Sequence, residues 1–565
     1  MKTITKSILV ACGLMAMLAS CSNDINTPGS GDKEQPQGLQ FSFTEEGYGE
    51  DEVLSRAAAN KTSQTETVDL GDCEAEVSVE SEPAEKHPQA TTRAIMNKHY
   101  TIRAYQAGVR KGEIKGTFNG TKFTADSNSP QDLILEQGQT YDFVAFNDDV
   151  TPVGENLTVD ESKMQTARIA TFTTTITAQK QQQVNFEMKH VCARLRTQLV
   201  CQKHMPENIT ATLEETTPNA VPASVSYNPV TKAYTAVTTK SMTPQNSSSP
   251  ASTEAPYTAS NGGQTFAYTS TSNYHYFLPS TEGSKLKLTF NAGTIFWKPM
   301  SGSIPKLNAT LIMQPNKSYV VKIKLRPRFT YLFNDGTTGF LSETKAPGAT
   351  KKVIGIVVGQ GRAVGAFQGW AYNWDNQAHA HTGVMYAAFT TTSSSFYTNI
   401  SDMNGYEYCW TTTYNTNHPD HGTTIRAYIS DFQQIGEATR YNPPGVPKTP
   451  WMQTHKWYLP AYGEYKLIFD NLGFGDYTKL KNNNVPAHLN FDYQAPWYGY
   501  IAQSAFTQVP SGRFALNQYY ASSSETDREH FAEPYPSETV FRWAGSGVKN
   551  FQYYYTYLNV SFIKY

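Results

Sequence analysis

The chain has 565 residues, enough for about three or four domains. Its formal net charge is -2 and 17% of its residues are charged, below the ~25% of an average soluble protein. This balance lacks the basic surface of a nucleic-acid-binding protein, so no nucleic acid is expected among its partners. A sequence rich in Tyr, Thr, Ser and Asn is instead typical of an extracellular β-rich protein.

The segment 1–20 is predicted to be a secretory signal peptide. Lys2 and Lys6 give a positive start, and the apolar run over residues 8–18 is shorter than the roughly 20 residues of a membrane span. The run ends in Leu-Ala-Ser-Cys, which resembles the lipobox of bacterial lipoproteins. That resemblance implies that Cys21 is acylated, with palmitate for example, and that the precursor is an outer-membrane lipoprotein.

A tether and a pro-segment are predicted next. Residues 21–38 are rich in Gly, Pro, Asp, Gln and Ser, which indicates a flexible tether. A short strand is predicted over residues 39–43, and an acidic stretch follows up to about residue 85. Leu-Ser-Arg-Ala contains Arg56, and Thr-Thr-Arg-Ala contains Arg93.

From about residue 95 the sequence alternates with the period of β-strands between Gly, Pro, Asn and Asp turns. Hardly any helical period occurs before residue 326, so two β-sandwich domains are predicted, over residues 39–203 and 204–328. The cysteines that remain in these domains and in the C-terminal region are expected to be buried and free. They are Cys73, Cys192, Cys201 and Cys409.

Several of these segments resemble the fimbrillin family over about residues 39–325. They are Tyr-x-x-x-Ala-Tyr-Gln at 100–106, Tyr-x-Phe-x-Ala-Phe at 141–146, Phe-x-x-x-His-x-x-Ala-x-Leu at 186–195 and Asn-Lys-Ser-Tyr-x-Val at 316–321. The resemblance implies a lipoprotein precursor of a pilus subunit with two transthyretin-like β-sandwiches. It also implies that a protease removes an N-terminal strand after an arginine, so that a strand of another fimbrial subunit can insert. Arg56 and Arg93 are the candidate processing sites, and the alternative is that both are ordinary surface residues.

The last third of the sequence, residues 329–565, has a different composition. Seven of the eight tryptophans lie beyond residue 330, and a helix is predicted over residues 462–472. The segments Ile-Gly-Ile-Val, Trp-x-Leu-Pro-x-x-x-Glu and Tyr-x-Ser-Ser-x-Glu resemble an α+β C-type-lectin-like domain of a bacterial subgroup. The resemblance implies that the residues of the second motif are mainly scaffold, namely Trp457, Leu459, Pro460 and Glu464.

Ligand binding by this region is expected to depend on aromatic side chains. The Glu-Pro-Asn or Gln-Pro-Asp loop of calcium-dependent lectins has no counterpart at the right place, so no calcium site or other cofactor is predicted. Exposed aromatic rings can still bind a glycan by stacking or a host protein by burial. The candidate ligand-binding residues are Trp374, Trp410, Trp451 and Trp497, although such rings are more often part of a core.

No enzyme activity is predicted. His379, His381, His418 and His421 lie in polar loop sequence without a common face, so the sequence predicts no metal site. A surface hydrolase that uses these histidine loops is the weaker alternative. The related formylglycine-generating enzymes need a pair of cysteines, and this region holds only Cys409.

The prediction is a mainly β, lipid-anchored precursor of an accessory or tip subunit of a fimbria that mediates adhesion at the cell surface. Its expected partners are other fimbrial subunits, a host protein or glycan, and the outer membrane before maturation. Tip placement follows from chain order, because the folded region 329–565 comes after the fimbrillin-like part and would hinder donation of a strand. The alternative is a membrane-anchored glycan-binding lipoprotein that joins no pilus.

Overall fold

Strands dominate the part of the chain that the structure describes. The computed structural model describes residues 38–48, 66–70, 73–81, 97–178, 181–253, 266–371, 395–414, 424–430, 432–483, 491–526, 530–548 and 557–565. The fold is mainly β, and this confirms the predicted fold class.

The elements occur in the following order along the chain. The first twelve strands are β1 (Gly38–Glu45), β2 (Glu66–Asp69), β3 (Cys73–Ser81), β4 (Lys98–Gln106), β5 (Val109–Phe118), β6 (Phe123–Ala125), β7 (Thr140–Asn147), β8 (Thr151–Val153), β9 (Asn156–Asp160), β10 (Arg168–Thr175), β11 (Gln181–His190) and β12 (Ala193–Cys201). The next thirteen are β13 (Thr210–Glu215), β14 (Val221–Asn228), β15 (Ala233–Lys240), β16 (Gln245–Asn246), β17 (Tyr268–Thr271), β18 (His275–Phe277), β19 (Leu286–Ala292), β20 (Thr294–Ile295), β21 (Lys298–Pro299), β22 (Ser303–Ile304), β23 (Ser318–Pro327), β24 (Tyr331–Phe333) and β25 (Thr338–Gly339). The remaining strands are β26 (Val353–Gly359), β27 (Arg362–Gly365), β28 (Gly369–Ala371), β29 (Trp457–Tyr458), β30 (Lys481–Asn482), β31 (Asp492–Pro496), β32 (His530–Pro536), β33 (Val540–Val548), β34 (Tyr557–Asn559) and β35 (Phe562–Lys564).

The α-helices all lie in the last third of the chain among the described residues. They are α1 (Phe396–Ile400), α2 (Gly405–Trp410), α3 (Gln433–Thr439), α4 (Pro450–Thr454), α5 (Tyr465–Asn471) and α6 (Gly499–Thr507). Single 3-10 turns cover Glu161–Lys163, Gly283–Lys285, Leu341–Thr344, Thr412–Tyr414, Arg426–Tyr428, Tyr462–Glu464 and Tyr477–Lys479. The helix predicted over residues 462–472 is therefore a 3-10 turn that continues into α5.

The first sandwich is built around a seven-stranded sheet with the order β1-β11-β10-β7-β4-β5-β6. Alternate residues of β4 face two different cores, because both faces of this sheet are covered. Ile102 packs with phenylalanines of β1 and β11, whereas Tyr105 packs with residues of β9 and β14. The covering sheet has the order β15-β14-β9-β8, so strands from both sides of the expected boundary at residues 203/204 share one sheet.

The second sandwich consists of two sheets that pack face to face. One has the order β17-β12-β23-β3-β2, with β18 also paired to β12, and the other has the order β16-β13-β19-β22. β12 and β23 run parallel at its centre. Their inward-facing Leu195 and Ile323 are fully buried in one apolar core with Leu288 of β19. Because the chain passes from β11 to β12 through only Val191 and Cys192, the two sandwiches are joined by a very short connection.

The last third of the chain contains three sheets with the orders β25-β24-β26-β27-β35-β29, β28-β34 and β30-β31-β33-β32. Its core is continuous with that of the second sandwich. At the junction, the ring of Phe296 lies 5.2 Å from that of Phe474, and the backbone N–H of His204 donates to the Tyr498 hydroxyl at 3.2 Å. The four cysteines of the described residues are buried and form no disulfide with one another, as predicted.

Candidate functional site

The edge strand β1 lies along β11 of the first sandwich and faces β6, and we call the space that it occupies the groove. It runs parallel to β11 in a continuous register from Gly38 opposite Gln181 to Glu45 opposite Met188. The sequence predicts a strand over residues 39–43, and the structure places all five within β1. Its apolar face points inward, where Phe41 is 7% exposed and Phe43 is 5% exposed.

The two phenylalanines of β1 belong to an aromatic core. The Phe43 ring stacks on Tyr100 at a centroid distance of 4.2 Å, and it also lies 5.2 Å from Phe118 and 5.3 Å from Phe186. The Phe41 ring lies 5.6 Å from Phe123 of β6, at the far edge of the same sheet. β1 therefore forms one edge of a curved sheet, and its Phe41 contacts β6 at the other edge.

The chain segment after β1 remains attached to the body. Tyr48 is only 7% exposed and stacks on His190 at a centroid distance of 4.0 Å. Tyr48 was not identified from the sequence. The available signal was a single aromatic residue in an otherwise acidic, glycine-containing stretch, which indicates a buried contact.

A second N-terminal element, β3, covers the edge of β23 in the second sandwich. The pairing is antiparallel and runs from Cys73 opposite Pro327 to Ser81 opposite Tyr319. Ala75 and Val77 are 0% and 3% exposed in the core. No strand was predicted here from the sequence, although Cys73, Ala75 and Val77 alternate with polar residues. The small side chains make that alternation weak.

The predicted modification sites fall outside the described residues. These are the lipidation candidate Cys21 and the processing candidates Arg56 and Arg93. In chain order, Arg56 lies between β1 and β2, and Arg93 lies between β3 and β4.

In the last third of the chain, Glu464 holds the Trp-x-Leu-Pro-x-x-x-Glu motif together. Its fully buried carboxylate accepts hydrogen bonds from Arg362 Nε at 2.7 Å, the Tyr458 hydroxyl at 2.7 Å and the Ala461 N–H at 2.8 Å. Burial raises the pKa of Glu464 to about 7, against the opposing effect of these donors. Trp457, Leu459 and Pro460 are buried as well, an arrangement suited to a scaffold.

The Tyr-x-Ser-Ser-x-Glu segment is tied to the same scaffold. The Ser524 hydroxyl donates to Asp402 at 2.6 Å and accepts from the Tyr462 N–H at 2.8 Å. Burial raises the pKa of Asp402. Neither Asp402 nor Arg362 was identified from the sequence, because both lie far earlier in the chain than the motifs that they contact.

The candidate ligand-binding tryptophans occupy different environments. Trp497 is fully buried and its indole N–H donates to the Ser537 carbonyl at 2.7 Å, so it presents no face to a ligand. Trp451 is half-buried and stacks on His455 at 4.0 Å. Trp374 lies outside the described residues.

Trp410 forms an aromatic surface with two neighbours. Its ring is half-buried, its N–H donates to the Trp457 carbonyl at 2.8 Å, and Lys456 Nζ lies 4.5 Å from its centroid. Tyr428 contacts it edge-on at 5.7 Å and is 66% exposed. We call Trp410, Tyr428 and Lys456 the aromatic surface.

The loop histidines at positions 379, 381, 418 and 421 lie outside the described residues. Within the residues that the structure describes, no group of three or more His, Cys, Asp or Glu side chains is arranged to hold a metal ion.

Similar solved structures come from species of Bacteroides and Parabacteroides. A fimbrial protein from Bacteroides ovatus is 11% identical, covers 94% of this chain and 99% of its own, and has a TM-score of 0.25. A fimbrial protein from Bacteroides vulgatus is 11% identical, covering 43% of this chain and 92% of its own with a TM-score of 0.27. A fimbrial assembly protein from Parabacteroides distasonis is 10% identical, covering 45% and 94% with a TM-score of 0.24.

No curated protein sequence matches the chain. A family model does match, and its span begins after β3 and ends after β25. Residues 84–342 of this chain are thus similar to the fimbrillin-like family.

Proposed function

We propose that this chain is an accessory, tip-type subunit of an adhesive fimbria that accepts a strand from another subunit after its own N-terminal strand has been removed. The observation that carries this proposal is the position of β1. It is an edge strand whose phenylalanines occupy the first sandwich, and it precedes all the other described strands in the chain.

Removal of β1 would leave two kinds of unsatisfied surface. The backbone groups of β11 that face β1 would lose their partners, and an unpaired edge of this kind is a template for a strand of another chain. The space left by Phe41 and Phe43 would expose an aromatic core, and an incoming apolar strand would regain that burial.

The two candidate arginines differ in what a cut would separate. Cleavage at Arg56 separates β1 from the rest and leaves β2 and β3 covalently attached. Cleavage at Arg93 also severs β3, which would remain attached to β23 only through its nine-residue pairing and its buried side chains. An open groove in the first sandwich alone is therefore the outcome of cleavage at Arg56.

Acceptance without donation accounts for the tip placement. β23 lies between β12 and β3, and β35 lies between β27 and β29, so both strands are paired on their two edges. Donating either one would break an intact sheet. The proposed domain scheme is a signal peptide at residues 1–20, a tether at 21–38, two fimbrillin-like sandwiches over residues 39–328, and a C-type-lectin-like domain at 329–565. The two sandwiches do not divide at residues 203/204, because β12 lies in the second sandwich and β14 and β15 lie in the first.

The proposed route to the surface begins with lipid attachment at Cys21. An acyl chain anchors by burying methylene groups at about 0.8 kcal/mol each. Among the described residues, no helix combines the length and apolar character required to cross a bilayer.

N-terminal sequencing and intact mass measurement of the protein from the native surface test this proposal. A start at Ala57 or Ala94 without lipid is expected, and Arg56→Ala and Arg93→Ala variants identify the cut. A lipidated Cys21 start in all fibre-associated protein would contradict it. Immunogold labelling along the shaft, instead of at fibre ends, would contradict the tip placement.

A second candidate function, glycan binding by a permanently anchored lipoprotein, is favoured by the aromatic surface. Tyr428 offers an exposed ring that contacts Trp410, and the Lys456 ammonium lies over the Trp410 ring, an arrangement that suits stacking on a sugar. Glycan-array binding that is lost in Tyr428→Ala but kept in Tyr397→Ala, another exposed tyrosine, would support it. An uncleaved, lipidated surface form would favour it over the fimbrial proposal.

A further inference from the structure

The attached N-terminal segment extends beyond β1 to a pocket at the junction of the two sandwiches. The pocket holds the Tyr48 ring, which stacks on His190 with an interplanar angle of 16°. The Tyr48 hydroxyl lies 3.1 Å from Cys192 Sγ. Both contacts fall at the short connection where the chain leaves β11 for β12.

The walls of this pocket come from both sandwiches. Arg194 of β12 places its guanidinium carbon 4.5 Å from the centroid of the Tyr48 ring. Tyr276 of β18 contributes a ring 6.3 Å away, and Val191 and Leu278 belong to the same apolar cluster. Tyr48 therefore contacts two sandwiches at once, whereas Phe41 and Phe43 contact only the first.

Polar contacts fix the two residues that precede Tyr48. Asn316 Nδ2 donates to the Gly47 carbonyl at 3.1 Å and to Glu46 Oε1 at 3.3 Å, while its Oδ1 accepts from the His190 N–H at 3.1 Å. The Glu46 N–H donates to the Met188 carbonyl at 3.1 Å, and its carboxylate lies 3.1 Å from Lys189 Nζ. An acidic residue two positions before the aromatic ring thus fits the site.

The local charge matches that acidic residue. Lys189, Arg168 and Arg194 surround the site, and burial together with the two arginines lowers the pKa of His190 to about 3. The imidazole is therefore neutral near pH 7 and offers a flat surface for stacking, not an added positive charge.

We infer that the pocket filled by Tyr48 is a specificity pocket at the end of the strand-acceptor groove, and that it takes an aromatic side chain of an incoming subunit strand. The inference rests on the proposed strand acceptance and deepens it. The fitting strand carries apolar residues at two alternate positions, an aromatic residue five positions after the second, and an acidic residue two positions before that aromatic. The segment Phe41-x-Phe43-x-x-Glu46-x-Tyr48 shows this pattern within the chain itself.

The pocket is tested first in the intact chain, without any strand exchange. In Tyr48→Ala we expect N-ethylmaleimide to label Cys192 at least about 10-fold faster than in the parent, because the ring that covers the thiol is gone. Adding 4-methylphenol, which reproduces the tyrosine side chain, should restore protection. Glu45→Ala, which alters the exposed neighbouring residue, is the matched control and should label like the parent.

Labelling sites are located by peptide mass spectrometry. Buried Cys201 and Cys409 report unfolding, since both are fully buried elsewhere in the chain. If they are labelled in Tyr48→Ala, the same test is made with Tyr48→Leu, which keeps apolar bulk but no ring. Unchanged Cys192 labelling in a folded variant, or no protection by 4-methylphenol, would overturn the inference that Tyr48 fills a pocket over Cys192.

The partner pattern is tested with peptides on a chain cleaved at a protease site introduced between residues 49 and 65. A fluorescent peptide of residues 38–48 should bind about 30-fold or more tightly than its Tyr48→Ala form, and the Tyr48→Phe form should lie close to the parent. Equal affinity of the parent and Tyr48→Ala peptides would overturn the inference. If 4-methylphenol protects Cys192 but the peptide does not bind, the proposed strand exchange is rejected, whereas the existence of an aromatic pocket is supported.

Discussion

Truncation of Phe43 tests how strongly β1 is held in the groove. The ring is 5% exposed and touches Tyr100, Phe118 and Phe186. Replacing a buried phenylalanine with alanine costs about 3–5 kcal/mol, from lost apolar burial and the cavity left behind. We therefore expect Phe43→Ala to lower the free energy of opening of β1 by about that amount.

Hydrogen exchange of the β11 amides measures this opening directly. A loss of about 3–5 kcal/mol corresponds to a rise of roughly 150-fold to 5,000-fold in exchange rate where exchange follows local opening. Thr44→Ala, at an exposed position of the same strand, should change the rate by less than about threefold. Equal exchange in Phe43→Ala and the parent chain would refute the view that the phenylalanines retain β1. In a cleaved chain, the same substitution should speed release of the segment.

Two further substitutions test the other structural elements. Glu464→Ala breaks the buried pair with Arg362 and should destabilise the last third of the chain by about 3–5 kcal/mol, measured by denaturant unfolding with tryptophan fluorescence. The exposed Gln453→Ala serves as its control, and equal midpoints would count against the scaffold role. Val77→Ala should lower the stability of the β3 pairing by about 2 kcal/mol and speed amide exchange in β23, with exchange in β11 unchanged as the internal control. Unaltered exchange in β23 would show that β3 contributes little.

Periodicity predicted the elements whose side chains differ strongly between their two faces. β1, β7 and the helical segment that starts at Tyr462 were all identified in this way, because bulky apolar residues recur at the spacing of the element. β3 was missed because its buried residues, Cys73, Ala75 and Val77, are small and lie within an acidic stretch. Its pairing partner β23 lies at the far end of the second sandwich in chain order, and no local pattern reports such a pairing.

In the candidate site, too, local patterns were predictable from the sequence and long-range contacts were not. The sequence identified the residues of β1 and the buried motif around Glu464, but not their distant partners. Arg362 and Asp402 became recognisable only through the distances that join them to Glu464 and Ser524. The exposure of a tryptophan also cannot be predicted from its position in the sequence. Trp497 is fully buried in the apolar core, where its indole N–H donates to the Ser537 carbonyl. Sequence patterns thus predict faces of elements, whereas long-range pairs decide which polar residues act together.

The pocket at Tyr48 also predicts a pH dependence for the attachment of the N-terminal segment. His190 forms one wall, with Arg168 of β10 and Arg194 of β12 as its charged neighbours. Burial and these two cations lower its pKa from 6.5 to about 3, so the folded state disfavours the protonated ring. The stabilisation of the folded chain by neutral His190 is complete above pH 6.5 and is lost as the pH falls toward 3.

At pH 5 we expect the attachment of residues 38–48 to be weaker by less than about 1 kcal/mol, because release of the segment removes only the burial of His190 by Tyr48, whereas Arg168 and Arg194 stay beside the ring. Hydrogen exchange of that segment, corrected for the intrinsic effect of pH, should accelerate between pH 6.5 and pH 5 in the parent chain. His190→Gln cannot take up the proton, so its corrected exchange should stay level over that range whatever its absolute stability. Parallel pH profiles for the two chains would show that His190 does not control the segment. A steeper profile in the parent alone would tie release of the segment to the wall that contacts Tyr48, because the other groups near it are unchanged in the variant.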